Sequence, residues 1–308
     1  MGQNGHEMGS PEVIMKECIL TATILVELPS WDQYELLDSG DGRRLERIGG
    51  KILIRPEPKA WWKPDIGIAE WRSAGAIFEV GQGWEGPDYA PGNTWKLSFD
   101  GTEFVARFGS NKHIGVFPEQ SSQWRWLSRR LAEAGRPIRV LNLFGYTGIA
   151  SLVAAQFGAE VTHVDASKPA IAWGKENVTK FQQERFRIRW IVDDVQKFVS
   201  REIRRGNFYD AILLDPPAFG RGPKQEVWKS DSQLADLLAS CRQLLSDRPL
   251  ALLCTAYSID ASSMMLKNVL ADAFGDGGGT LEVGEIGMGS HNCTKILSVA
   301  LFGRISWR

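Results

Sequence analysis

From residue 138 onward, short unbroken apolar runs alternate with helix-patterned segments, and this alternation restricts the chain to one architecture. Strands are expected over 138–144, 160–165, 187–193, 209–215, 250–255, 280–286 and 296–302, with helices near 148–157, 168–181, 195–205, 230–246 and 261–274. Runs that are apolar on both faces and separated by helices build a parallel sheet covered on both sides. About nine residues part the last two strands, too few for a helical crossover, so the last strand should run antiparallel.

The first ~115 residues read differently. Apolar runs at 52–54, 77–80, 95–99 and 103–108 are separated by Gly, Pro and Asp, and Asp100-Gly101 sits between two alternating segments as a hairpin turn would. Then 118–134 reads as one amphipathic helix, with Trp124, Leu127 and Leu131 at helical spacing. The expected organisation is a small β-rich N-terminal domain over 1–116 and an α/β domain over 117–308. Eight of the 12 tryptophans precede residue 127. Packing of the first unit onto the second accounts for most of them, while one or two could offer a face to an unstacked base.

Composition excludes several function classes. No apolar stretch approaches ~18 residues, and the best, 19–28, is interrupted at Glu27, so no membrane span is expected. Met1–Ser10 reads as a polar, flexible start without a leader pattern. Cysteines 18, 241, 254 and 293 form no CxxC pair, and His6, His113, His163 and His291 lack ligand spacing. Neither a disulfide framework nor a metal site is expected, and reduced thiols suit a cytoplasmic protein. Lys+Arg total 36 against 37 Asp+Glu, but residues 1–125 carry 13 basic and 18 acidic side chains and the remainder 23 and 19. The balanced total therefore hides a mildly cationic second half.

Four motifs fall at strand ends. Val140-Leu-Asn142-Leu-Phe144-Gly145-Tyr-Thr147-Gly148 follows the first strand of the alternation and opens a helix, where glycines let backbone approach a ligand. Taken alone it also fits a plain tight turn. It is neither GxGxxG nor a phosphate-binding P-loop. Asp165 ends the next strand 20 residues after Gly145, in position to accept from the two hydroxyls of a ribose or to cap the following helix. Asp193-Asp194-Val195 ends the third strand, where a carboxylate and the next backbone N–H can meet an adenine edge, or where two acids can simply cap. Asp215-Pro216-Pro217-Ala218-Phe219-Gly220 ends the fourth. Consecutive prolines stiffen the backbone and hold a carbonyl and carboxylate against the edge of a planar base, with Phe219 free to stack.

This order of motifs resembles the class I S-adenosylmethionine-dependent methyltransferases. More narrowly it is similar to the bacterial group containing the 23S rRNA cytosine-C5 and guanine-N7 methyltransferases. The resemblance covers roughly residues 32–308 and includes Gly115-Val-Phe117-Pro-Glu-Gln120, although the PUA RNA-binding domain of that group is not evident. It implies a Rossmann-like seven-stranded sheet, S-adenosyl-L-methionine as cofactor, and a pocket of Phe117, Gln120, Asn142, Gly145, Thr147, Asp165, Asp194 and Asp215. The flanking Phe144, Gly148, Asp193 and Val195 belong to the same turns.

Cytosine C5 becomes nucleophilic only after a thiolate adds at C6. In the cytosine-specific relatives a cysteine follows the fifth strand. Here that place holds Tyr257, and Cys254 lies earlier, inside an apolar strand. A base nitrogen in RNA, ribosomal RNA first, is therefore the expected target, with Asp215, Pro216, Pro217, Phe219 and Tyr257 around it. Arg221 and Lys224 follow the proline loop and would meet phosphates. The runs Arg185, Arg187, Arg189 and Arg201, Arg204, Arg205 serve RNA or form solvated faces. A small-molecule or protein methyltransferase, and a silent RNA-binding protein that retains the pocket, are the alternatives.

Overall fold

The structure, a computed structural model, describes residues 24–257, 260–275, 277–289 and 295–307. Met1–Ser10, Cys18, Cys293, His6 and His291 lie outside the described residues.

Strand β1 (Ile24–Glu27) precedes an N-terminal β region. A five-stranded sheet contains β2 (Tyr34–Gly40), β3 (Arg43–Ile48), β4 (Lys51–Pro56), β5 (Ala76–Glu79) and β6 (Gly83–Glu85), with the four-residue helix α1 (Ile68–Trp71) between β4 and β5. A hairpin follows, β7 (Thr94–Phe99) and β8 (Thr102–Arg107). Asp100 and Gly101 turn it with φ of 45° and 82°, the left-handed pair that matches strand twist.

A 3-10 turn (Pro118–Gln120) leads into α2 (Ser121–Glu133), and the alternation begins. Its elements are β9 (Arg139–Leu143), α3 (Ile149–Gln156), β10 (Glu160–Asp165), α4 (Lys168–Lys180), β11 (Ile188–Val192), α5 (Val195–Arg205) and β12 (Ala211–Leu214). A short hairpin, β13 (Phe219–Arg221) and β14 (Val227–Lys229), is inserted before α6 (Ser230–Arg242), β15 (Ala251–Ala256), α7 (Ser263–Phe274), β16 (Thr280–Met288) and β17 (Leu297–Ser306). Helix α6, expected to reach 246, stops at Arg242 because Leu244 O accepts from Tyr209 N (2.8 Å) and carries the chain onto the sheet.

The large sheet has the order β1-β16-β17-β15-β12-β9-β10-β11. The five strands from β15 to β11 run parallel, and β17 is antiparallel to both β15 and β16. The sheet thus has the seven expected strands plus an eighth, since β1 pairs parallel with the β16 edge. The chain moves outward through β9, β10 and β11, then returns to lay β12 on the other side of β9. That reversal opens a crevice beyond the carboxyl ends of β9 and β12, where open α/β sheets bind ligands.

Apolar side chains cover both faces. One core joins Val140, Leu152 and Leu213 to Trp124 of α2 and to Trp31, Leu97, Phe99 and Phe104 of the N-terminal region. Trp31, Phe99 and Trp124 pack edge-on at 5.2–6.4 Å, so these tryptophans bind the β region to the helical layer. Phe198, Leu234, Leu237, Leu266 and Leu270 of α5, α6 and α7 cover the opposite face. Trp61 is the exception, 90% exposed.

Candidate active site

The crevice opens into a cleft of about 890 Å³, with a smaller inner recess of about 50 Å³ behind it. The turn after β9 forms its floor. Phe144 (φ 56°) and Tyr146 (φ 52°) adopt left-handed backbone here, as does Gly148 (φ 82°), a strained arrangement for the two non-glycine residues. Gly145 is needed for closeness instead: a Cβ there would stand 2.3 Å from His163 Cε1. Asn142 faces the inner recess and donates to Ser151 Oγ (2.9 Å), which in turn lies 2.9 Å from His163 Nδ1. This buried chain props the turn from below. Burial holds the His163 imidazole neutral, down to about 3. Thr147 Oγ1 donates to Gly115 O (2.6 Å), tying the turn to the segment that carries Phe117.

Asp165 lines the cleft at the end of β10. Its Oδ2 accepts from Tyr146 N and its Oδ1 from Ser167 N, each at 2.7 Å. Helix capping falls to Ser167, whose Oγ accepts from Ala170 N, so Asp165 is spared that duty. Each of its oxygens keeps a lone pair for a ligand hydroxyl, and burial pushes its pKa upward. Asp194 caps α5 through Oδ1 and borders the cleft beside Val195. Two carboxylates between the apolar walls of Phe144, Tyr146 and Val195 fit an adenosine-sized ligand with a diol and an amino edge.

Asp215 follows β12 and faces both cavities. Gln120 Nε2 lies 3.1 Å from its Oδ1, 3.0 Å from Thr255 Oγ1 and 2.9 Å from the Tyr257 hydroxyl. The Thr255 hydroxyl also donates to Asp215 Oδ1. Burial pushes the Asp215 carboxyl up to about 7 despite these donors, and burial likewise raises the Tyr257 phenol. The Phe117 ring lies 5.8 Å from that of Tyr257 and 5.6 Å from that of Tyr146.

The proline loop differs from expectation. Pro217 O is occupied by Trp228 Nε1 and Ser230 Oγ, both at 2.8 Å. Trp228 takes the inner face, packing 4.9 Å from Phe144. Phe219 therefore points outward, 54% exposed under Arg221, and is not available inside the cleft as a stacking residue. Pro217 and Arg221 line the cleft, whereas Pro216 does not. Lys224 stands in the hairpin turn with its backbone N–H on Glu226. Asp193 also lies off the cleft, paired with Arg201 and accepting from Asp194 N. Gly148 is a packing glycine: at φ 82°, a Cβ would meet Trp190 Cη2 at 2.6 Å. Of the arginine runs, Arg187, Arg201 and Arg205 are held by Glu160, Asp193 and Glu202.

Sequence reasoning missed Thr255, Tyr146, Trp228 and one entire wall. Arg44, Glu57, Lys59, Lys112 and His113 of the N-terminal region, with Glu119, border the cleft beyond Asp215. Behind them Arg55 forms a two-pronged pair with Glu46, which also accepts from Tyr34 and lies 3.5 Å from Arg44. His113 is kept neutral, down to about 4, by burial and its cationic neighbours. Thr255 carried a signal, its place at a parallel strand's carboxyl end, and Tyr146 stood inside the Gly145–Gly148 turn.

Both described cysteines are core residues. Cys254 is fully buried on β15, and burial pushes its thiol up to about 12. Among the described residues no group of three or more His, Cys, Asp or Glu could hold a metal ion, and no helix is long and apolar enough to cross a membrane.

A family model for S-adenosylmethionine-dependent methyltransferases matches residues 83–254. The chain is 44% identical to a solved SAM-dependent methyltransferase from Agrobacterium tumefaciens, with a TM-score of 0.88 over 92% of this chain and 93% of that one. It is 35% identical over 158 residues to the ribosomal RNA large subunit methyltransferase K/L of Shewanella baltica, covering 49% of this chain and 21% of the relative. It is 32% identical over 148 residues to the ribosomal RNA large subunit methyltransferase I of Tolumonas auensis, covering 48% and 37%. The matches thus span from about a fifth to somewhat over a third of those curated relatives. Strand order, cleft and family match agree, and the chain belongs to the S-adenosylmethionine-dependent methyltransferase family.

Proposed function

We propose that this protein methylates a nucleobase nitrogen in RNA, ribosomal RNA first, in the cytoplasm. The observation that carries the reading is the Gln120–Thr255–Tyr257 cluster around Asp215, in a cleft rimmed by aromatic rings and without either described thiol. The naming of the curated relatives as ribosomal RNA methyltransferases supports the choice of RNA. Residues 117–308 form the transferase unit in this reading. In the N-terminal unit, expected over 1–116, the described residues from Ile24 onward supply the acceptor wall and lend β1 to the catalytic sheet.

When bound, the cofactor supplies an already activated methyl group. The chain has to align the acceptor and exclude water. Asp165 would hold the ribose diol, Asp194 and Val195 the adenine edge, and Phe117, Phe144, Gly145 and Thr147 the remaining surface. Gln120 and Thr255 fix Oδ1 of Asp215, leaving Oδ2 to accept from the target N–H. A carboxyl held at about 7 can take the proton that leaves the nitrogen as its bond to carbon forms. Carbon-5 of cytosine would require a thiolate, and Cys254, buried and with a raised pKa, does not serve as one. Arg221 and Lys59 at the cleft mouth, and Trp61 two residues further on, suit an RNA approach.

Transfer of tritiated methyl groups from S-adenosylmethionine to total RNA, protein extract and free metabolites tests the reading. Label in RNA that disappears with Asp215→Ala is expected. Label confined to protein or metabolites contradicts it.

A further inference from the structure

The cleft is longer than the cofactor half described above. Beyond Asp215 and Tyr257 it continues along Arg44, Glu57, Lys112, His113 and Glu119. The carboxylates of that wall differ in one respect. Glu46 is held by Arg55, Arg44 and Tyr34, and Glu57 by Arg44. Glu119 is 3% exposed, yet its Oε2 has no hydrogen-bond partner. A buried, unsatisfied carboxyl oxygen is costly in a folded protein and calls for a partner. Its position supplies a reason. Glu119 directly precedes Gln120 in the 3-10 turn, so neighbouring side chains serve Asp215 and the acceptor wall. Burial raises the Glu119 pKa against the pull of Arg44, and its charge in turn raises those of Asp215 and Tyr257, so the carboxyl is coupled both to that pair and to the wall.

We propose that Glu119 is the acceptor-recognition residue, its carboxyl accepting from an N–H group on the edge of the target nucleobase. The assignment rests on the RNA reading above. Arg44, next to it, presents a guanidinium to a carbonyl or ring nitrogen on the same edge, so that donor and acceptor are read together. A site built to pair a buried polar group rejects ligands that leave that group unpaired. Glu119 thus selects which base is accepted, while Asp215 serves the reacting atom.

The test measures methyl transfer to total RNA, with S-adenosylhomocysteine calorimetry and thermal melting on the same proteins. Glu119→Gln keeps the volume and replaces half of the acceptor with a donor. Glu119→Asp keeps the carboxyl and withdraws it by one methylene. The expected result is an RNA KM raised about tenfold or more by Glu119→Gln and less by Glu119→Asp, with S-adenosylhomocysteine affinity unchanged and the melting temperature not lowered, since the unpaired carboxyl costs stability in the wild type. RNA labelling by both variants at the wild-type KM overturns the role of Glu119 and leaves the RNA reading standing. An equal loss of S-adenosylhomocysteine affinity also overturns it, because Glu119 would then serve the cofactor half. If the wild type labels no RNA, the RNA reading falls and the assignment falls with it.

Discussion

Gln120 Nε2 stands 3.1 Å from Asp215 Oδ1 and 2.9 Å from the Tyr257 hydroxyl, so one amide ties together two groups that line the cleft. Replacing it with leucine leaves the fold but frees Asp215 and Tyr257 to move. A displacement of about 1 Å at a reacting centre costs on the order of 10²-fold in rate. Gln120→Leu should lower kcat by that order in a single-turnover assay; a kcat within twofold of wild type would show that the amide does not position Asp215.

Asp215 also makes stability depend on pH. Its pKa of about 7 in the fold lies above the ordinary 3.8, so the folded chain keeps a proton that the unfolded chain releases. The stability linked to this group is present at low pH and is lost as pH rises from about 4 through about 7. Asp215→Asn removes the titration. Denaturant melts should show its stability relative to wild type rising over that window by on the order of 4 kcal/mol. A constant difference between the two proteins would contradict a buried, proton-retaining Asp215.

Asp165 has two lone pairs available for ribose hydroxyls. Two charge-assisted hydrogen bonds are together worth about 3 kcal/mol or more, so Asp165→Ala should weaken S-adenosylhomocysteine about 100-fold in calorimetry. Unchanged affinity would remove Asp165 from the cofactor site.

The Arg55–Glu46 pair is buried behind the N-terminal wall of the cleft. Arg55→Met leaves the buried Glu46 carboxylate with only Arg44 and Tyr34 as partners, at a cost of roughly 2–3 kcal/mol, below that of a fully unpaired buried charge. Urea unfolding measures that loss directly, and a change below about 1 kcal/mol would mean that the pair contributes little to stability.

Cys254→Ala tests whether the described thiol on β15 acts as a nucleophile. A buried thiol in a strand should be replaceable with turnover kept within about twofold and a modest stability loss of about 1 kcal/mol. Abolished transfer with intact S-adenosylhomocysteine binding would make Cys254 the nucleophile.

The half of the cleft at the strand ends was legible because parallel strands end in a fixed place. Gly145, Asp165, Asp194 and Asp215 each end or closely follow a strand whose apolar run is visible in the sequence, and the sheet brings those ends together around the cleft and its inner recess. The acceptor wall was not legible. Arg44 and Glu119 meet through packing between residues 75 positions apart, and no local pattern encodes that distance. Phe219 misled for a related reason. The loop's register is decided by Trp228, nine residues later, whose indole occupies the inner face and turns Phe219 outward. The eighth strand was missed because four residues at an edge carry too weak a pattern to be assigned to a sheet that begins more than 100 residues later.

The most direct measurement is mass spectrometry of nucleosides from the RNA of a strain lacking this protein. The account predicts one N-methylated nucleoside missing from ribosomal RNA, restored by the wild-type chain and not by Asp215→Ala. An unchanged nucleoside profile, or a missing C-methylated cytosine, would contradict it.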